Sequence, residues 1–209
     1  MSKVIMVRHG RTAWHEQGRY AGMTDVPLDE FGQEQAKRVA TLLKESKADV
    51  IYSSPLSRCL ELATLVSCEH GLEVIVDERL REIDLGRWDG EMMQDIVKKD
   101  GEILKKWIAD PSSVTVPGGE SLIAVQERAM AWLGEVTTRH PDGNIVASSH
   151  GGPIRAIIAG VLGLPLGNIF RLTVDLASVS VLNYSGKFSN LETMNERSHL
   201  DGVRGGSLL

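Results

Sequence analysis

Apolar residues along this chain fall into two patterns. Short unbroken runs, Val4-Ile5-Met6-Val7, Val50-Ile51-Tyr52 and Ile145-Val146-Ala147, are rich in β-branched residues and read as strands buried on both faces. Longer stretches repeat their apolar positions every three or four residues, as amphipathic helices do. One covers about 30 to 46, with Ala36, Val39, Ala40 and Leu43 on one face and Asp29 as its cap. Another opens at Ser54-Pro55, where proline suits the first turn, and runs to Gly71. A long one follows the cap Ser121 and reaches about Arg139, with Val125, Ala129, Trp132, Leu133 and Val136 inward. A shorter one spans about 153 to 162, and residues 92 to 109 carry further helix around Ile96, Leu104 and Trp107. Further strands are predicted at 73–76, 171–174 and 178–184, the last turning at Ser185-Gly186 into a hairpin partner through Leu191.

Strands alternating with helices predict an α/β fold: a three-layer sandwich with a mainly parallel central sheet and helices on both faces. A single domain is expected over 1–194, with 195–209 as a flexible C-terminal tail. Residues 11–28 are polar and lack a helical period, as expected for a loop over the end of the first strand.

Two of the buried strands stop in the same way. The first runs into Arg8-His9-Gly10, and the strand near 144–149 runs into His150-Gly151-Gly152. The carboxyl end of a buried strand is where ligands sit in an open α/β sheet. Arg58 lies early in the helix after Ser54-Pro55. Two guanidiniums and two imidazoles at one mouth call for an anion, and arginine matches phosphate with two parallel donors. The helix opening at 151–154 adds free backbone N–H groups. A phosphoryl group satisfies all of these.

Composition narrows the setting. The net charge is −5 and no Lys/Arg run exists, so no nucleic-acid partner is expected. No apolar stretch is long enough to span a bilayer, and the apolar run before Arg8 is too short for a secretion signal, so a cytoplasmic protein is expected. Cys59 and Cys68 stand nine positions apart in one predicted helix, roughly 13 Å at helical rise, too far for a disulfide. Both are expected to be buried thiols. The histidines at 9, 15, 70, 140, 150 and 199 lack metal-ligand spacing, so neither a metal nor a cofactor is expected. Oligomeric state is not encoded in any face identified here.

The motifs resemble one family closely. Arg8-His9-Gly10-Arg11-Thr12 is similar to the R-H-G-x-T signature of the histidine phosphatase superfamily, the phosphoglycerate mutase-like family. The resemblance continues through Gly22 to Leu28, Gly32 to Ala36, Ser53 to Arg58, Leu80-Arg81-Glu82 with Gly86, Pro117 to Ser121, and Ser149 to Gly152. It implies His9 as the nucleophile that accepts the phosphoryl group, and Arg8, Arg58 and His150 as groups that hold its oxygens. It also implies Glu82 as the acid that protonates the leaving alkoxide and then activates water. On spacing alone Asp84 and Asp89 rival Glu82; the resemblance favours Glu82. Thr12, His15, Arg11, Gly22 and Gly151 are expected as substrate contacts, and Arg11, Arg19 and Arg81 either as partners of a second anionic group or as solvated surface charges.

The chain departs from the family at two places. His15 stands where the family usually has Asn, and Leu62 where it usually has Thr. An imidazole can still donate a hydrogen bond, but it can also titrate. The interval from Glu82 to His150 lacks the insertion of the mutases. The resemblance therefore implies a phosphatase acting on a small phosphorylated substrate, most similar to the α-ribazole phosphatase and broad-specificity branches. A cofactor-dependent mutase and a non-catalytic phospho-ligand binder are the alternatives. Substrate choice is expected to lie in residues 11–24 and 87–116.

Overall fold

The computed structural model describes residues 1–203. In chain order the strands are β1 (Ser2–Arg8), β2 (Val50–Ser53), β3 (Val74–Val76), β4 (Asn144–Ser149), β5 (Val179–Tyr184) and β6 (Asn190–Glu196). The α-helices are α1 (Ala13–Glu16), α2 (Glu30–Lys44), α3 (Ser57–His70), α4 (Met93–Ala109), α5 (Leu122–Arg139) and α6 (Gly151–Leu162). The strands form one sheet in the order β3-β2-β4-β1-β5-β6. β3, β2, β4 and β1 are parallel, while β5 and β6 add an antiparallel hairpin beyond β1.

Strict alternation along the strands builds two cores. Val4 and Met6 of β1, Val50 and Tyr52 of β2, and Ile145 and Ala147 of β4 face α5 and α6, against Trp132, Leu133, Ile154 and Ile157. Ile5, Val7, Ile51 and Val146 point the other way, onto Ala36, Val39 and Leu43 of α2 and Leu62 and Val66 of α3. A strand with apolar residues on both pleats is stable only between two helical layers, which is the predicted sandwich. A third cluster (Ile83, Leu85, Trp88, Ile96, Leu104, Val116) roots the irregular stretch between β3 and α5.

Register decides where the chemistry goes. Arg8 pairs with Ser149 and Ser53 with Ser148, so β1, β4 and β2 end level with one another. The turn after β1 is pressed against the first turn of α2. A β-carbon at Gly10 would lie 2.6 Å from the Gly32 carbonyl oxygen, and one at Gly32 would lie 1.9 Å from that of Arg11. Asp29 caps α2 by accepting from the Gly32 amide at 2.7 Å, as expected.

Several expectations are corrected. Residues 171–174 are not a strand; their carbonyls accept from arginine side chains instead of from a sheet neighbour. Residues 195–203 are not a loose tail: β6 continues to Glu196, and a 3-10 turn at Ser198–Leu200 buries Leu200 in the α2 core. The rest of the predicted tail, 204–209, lies outside the described residues. The polar 11–28 loop contains the short α1. Cys59 is buried, but Cys68 is exposed, since nine positions at about 100° per residue place the two on opposite helix faces. α4 breaks at Asp100, whose φ of −137° leaves the helical region and whose carboxylate takes the Trp88 indole N–H at 2.8 Å and the Arg87 guanidinium.

Leu200 tests the ordered C-terminal turn. Leu200→Ala is expected to cost about 2–5 kcal/mol, as for other buried leucines, read as a lower urea midpoint. A disordered residue would leave the midpoint unchanged.

Candidate active site

His9 and His150 leave adjacent strands and meet edge to face, their ring centroids 5.0 Å apart. Both are buried. The Nδ1 of His9 lies 2.7 Å from the Gly10 carbonyl, which can only accept, so Nδ1 carries the proton and Nε2 keeps its lone pair. The His9 carbonyl accepts from Ala177 N–H at 3.0 Å and its amide donates to Ser149, so the residue is fixed on both sides.

Arg58 is fully buried in the first turn of α3. Its Nη2 donates to the Gly22 carbonyl (2.7 Å), its Nη1 to that of Thr24 (3.0 Å), and its Nε to His150 Nδ1 (3.3 Å). With Nδ1 accepting, the Nε2 proton of His150 goes to Ser54 Oγ at 2.8 Å. Ser54 stands just before α3, in the Ser53 to Arg58 motif, and no site role was expected of it. Arg8 is buried with its Nη1 on the Val174 carbonyl at 2.7 Å and its Nε without a partner.

Glu82 is buried, and its carboxylate accepts from the Ile83 amide at 2.9 Å and the Gly152 amide at 3.1 Å. The latter contact ties it to the first turn of α6, beside His150. Its rivals are occupied in loop construction. Asp84 accepts from the Gly86 amide, while Asp89 takes the amides of Gly22 and Thr24 and the Thr24 hydroxyl. Of the three carboxylates, Glu82 is the one held against the helix that follows His150. Arg128 of α5, which no sequence motif singles out, positions that stretch. Its guanidinium donates to the carbonyls of Arg79, Arg81 and Glu82 while paired with Glu120 at 2.8 Å.

The expected peripheral contacts divide. His15 packs against His9 with centroids 5.4 Å apart, and its Nδ1 lies 2.7 Å from the buried Thr12 hydroxyl. Gly151 opens α6. Arg11 is turned elsewhere: it pairs with Asp29 at 2.7 Å and lies over the Phe31 ring, because the α2 cap offers it a carboxylate and an aromatic face. Gly22 spends its carbonyl on Arg58 and its amide on Asp89, so it builds the arginine's seat and has no donor left for a substrate. Arg19 donates to Gln17 and to the Gly90 carbonyl, and Arg81 lies 3.9 Å from Glu78. Leu62 is fully buried in the α2–α3 core.

Charge sets the imidazole state. Burial first, then Arg58 and the neighbouring histidines, holds His9 well below its ordinary value, and burial with Arg58 and Arg8 does the same to His150. Burial followed by Arg8, Arg58 and Arg11 pushes His15 down to about 3. All three rings are therefore neutral in the folded chain near neutrality, as a nitrogen nucleophile requires. In the unfolded chain they take up protons as the pH drops through about 6.5. The unfolded state then binds more protons than the folded one, so stability is lost as pH falls below that value. In phosphate-free buffer the urea midpoint is expected to drop between about pH 7 and about pH 5.5, and to drop less steeply in His15→Asn. A midpoint independent of pH in this window would contradict the neutral-ring arrangement.

Comparison with known proteins agrees with this geometry. The family model for the histidine phosphatase superfamily (branch 1) matches residues 4–197. The chain is 38% identical over 200 residues to phosphoserine phosphatase 1 of Hydrogenobacter thermophilus, covering 96% of this chain and 95% of that one. It is 28% identical over 196 residues to the adenosylcobalamin/α-ribazole phosphatase of Escherichia coli, covering 94% and 97%. Among solved structures, Bacillus stearothermophilus YhfR superposes with a TM-score of 0.90 at 27% identity, covering 96% of this chain and all of that one. Among the described residues no helix is long and apolar enough to cross a membrane. The chain belongs to branch 1 of the histidine phosphatase superfamily and is a phosphatase of that type.

Proposed function

We propose that the protein is a cytoplasmic phosphomonoesterase that hydrolyses a small phosphorylated metabolite through a phosphohistidine on Nε2 of His9. The observation that carries this reading is the 2.7 Å contact of His9 Nδ1 with the Gly10 carbonyl, which puts the ring proton on Nδ1 and leaves Nε2 unprotonated. In the first step Nε2 bonds to phosphorus as the bridging P–O bond breaks, and Glu82 gives its proton to the departing alkoxide. In the second, Glu82 takes a proton from water, the oxygen attacks phosphorus, and the P–N bond breaks to release orthophosphate. Arg8, Arg58 and the α6 amino end compensate the charge that builds on the equatorial oxygens, and His150 joins them by sharing its Nε2 proton between Ser54 Oγ and a phosphoryl oxygen.

His15 fits the same scheme. If the Thr12 hydroxyl donates to Nδ1, the proton of the neutral ring sits on Nε2 and serves as a donor where the family has an amide. The relatives named above act on phosphoserine and on α-ribazole phosphate by their names, and an α-ribazole-like substrate is the finer form of this proposal.

His9→Ala is expected to lower p-nitrophenyl phosphate turnover about a thousandfold or more without changing the circular dichroism spectrum. Acid-labile, base-stable phosphate should be trapped on the wild-type chain and absent from the variant. Turnover should survive prolonged chelation by EDTA. Full loss on chelation, or wild-type rates in His9→Ala, would remove this scheme.

A further inference from the structure

Three imidazoles stand together at the ends of β1 and β4, and their fixed partners differ. His9 Nδ1 faces the Gly10 carbonyl at 2.7 Å, which can only accept. A further proton could therefore enter His9 only at Nε2, the attacking nitrogen. His150 Nδ1 faces Arg58 Nε at 3.3 Å, which can only donate, so that nitrogen is closed to a proton. His15 is placed otherwise. Its Nδ1 meets the Thr12 hydroxyl at 2.7 Å, and a hydroxyl can give a proton or receive one. Thr12 is fully buried and precedes α1, yet its side chain makes no capping bond, so the hydroxyl is left to the ring. Of the three rings, His15 is the one that can be charged with its contact intact and without silencing the nucleophile.

The surrounding charges decide when that happens. Burial first, then Arg8 at the end of β1, Arg58 in α3 and Arg11 in the loop after β1, push His15 down to about 3. His9 and His150 are neutral neighbours. The nearby carboxylates are engaged elsewhere: Glu16 and Asp29 lie 3.5 and 2.7 Å from Arg11, and Glu82 accepts from the Ile83 and Gly152 amides. A phosphoryl dianion seated on Arg8 and Arg58 reverses the sign of this field. It offsets the two guanidiniums that keep a proton away from His15. It also attracts a proton itself, bound beside His9, whose ring centroid is 5.4 Å from that of His15.

We propose that His15 takes up a solvent proton when a phosphoryl dianion enters, holds the anion as an imidazolium through both chemical steps, and returns the proton when orthophosphate leaves. Nδ1–H then donates to Thr12 Oγ and Nε2–H to a phosphoryl oxygen. Only an N–H bond forms and breaks at His15 in this cycle, and the proton comes from and goes back to water. The inference rests on the phosphatase reading above and adds to it. The amide usual at this position in the family can donate a hydrogen bond but cannot take up a proton, so His15 gives anion binding a pH dependence that Asn would not.

The probe is sulfate, a tetrahedral dianion whose own charge is constant between pH 8 and pH 6. Calorimetric titration in two buffers of different ionisation enthalpy counts the protons taken up as sulfate binds. Glu82→Gln is the background, because it removes uptake by the general acid and leaves Thr12 and His15 in place. In that background the uptake is expected to approach one proton at pH 6, and Kd to fall by up to about tenfold per pH unit on the way from pH 8. Adding His15→Asn should bring the uptake close to zero and flatten Kd over the same range. His15→Gln, which also donates without titrating, should behave like the Asn variant and replaces it if that variant loses the native circular dichroism spectrum. Equal uptake with and without His15, or a sulfate affinity that does not rise as the pH falls, would overturn the proposal. Wild-type turnover of p-nitrophenyl phosphate keeps the two readings apart. If it is absent, the phosphatase reading fails as well; if it is present, a negative result removes only the role given to His15.

Discussion

The site depends on burying guanidinium groups whose partners are main-chain carbonyls. An unpaired buried cation is costly, and a carboxylate is the usual remedy. Here Arg58 donates to the carbonyls of Gly22 and Thr24, Arg8 to that of Val174, and Arg155 to that of Leu172. Carbonyl dipoles hold the donors in place without cancelling their charge. The positive field therefore stays available for an anion, which is what preorganised electrostatic catalysis needs. Two irregular segments, 20–28 and 172–177, are shaped by this task. Each runs past the ends of the parallel strands at the depth where its carbonyls meet an arginine, and each is in turn fixed by residues remote from the chemistry, such as Asp89 on Gly22 and Thr24.

The same constraint separates what could be read in the sequence from what could not. The sandwich was legible because β1, β2 and β4 are apolar on both pleats while α2 and α5 carry one apolar face each, and caps at Asp29 and Ser121 marked their starts. The stretch at 171–174 was misread as a strand because an extended apolar segment has the same composition whether its carbonyls face a neighbouring strand or a guanidinium. The C-terminal turn was misread because its polar composition hid a single anchoring side chain, Leu200.

Within the site, His9, Arg58, Glu82 and His150 were legible from motif and from their position at or after strand ends. Arg128 and Ser54 were not, since their contacts with the site run across 46 to 96 residues of chain and leave no local pattern. Arg11 and Gly22 lie in the motif, yet their contacts in the fold are internal ones. Local spacing does not disclose that Asp29 takes the one, or that Asp89 and Arg58 use both backbone groups of the other.

The contact between Gly10 and Gly32 has a bearing on how such a chain can diverge. Each of these residues abuts the main chain of the other's segment, at 2.6 and 1.9 Å from a notional methyl group, so the obstruction cannot be relieved by trimming a neighbouring side chain. Enlarging either one would displace the amino end of α2 from the turn that carries the nucleophile, and no second substitution nearby restores the lost space. The two glycines therefore act as one steric unit, and a change at either is felt at the turn that carries His9.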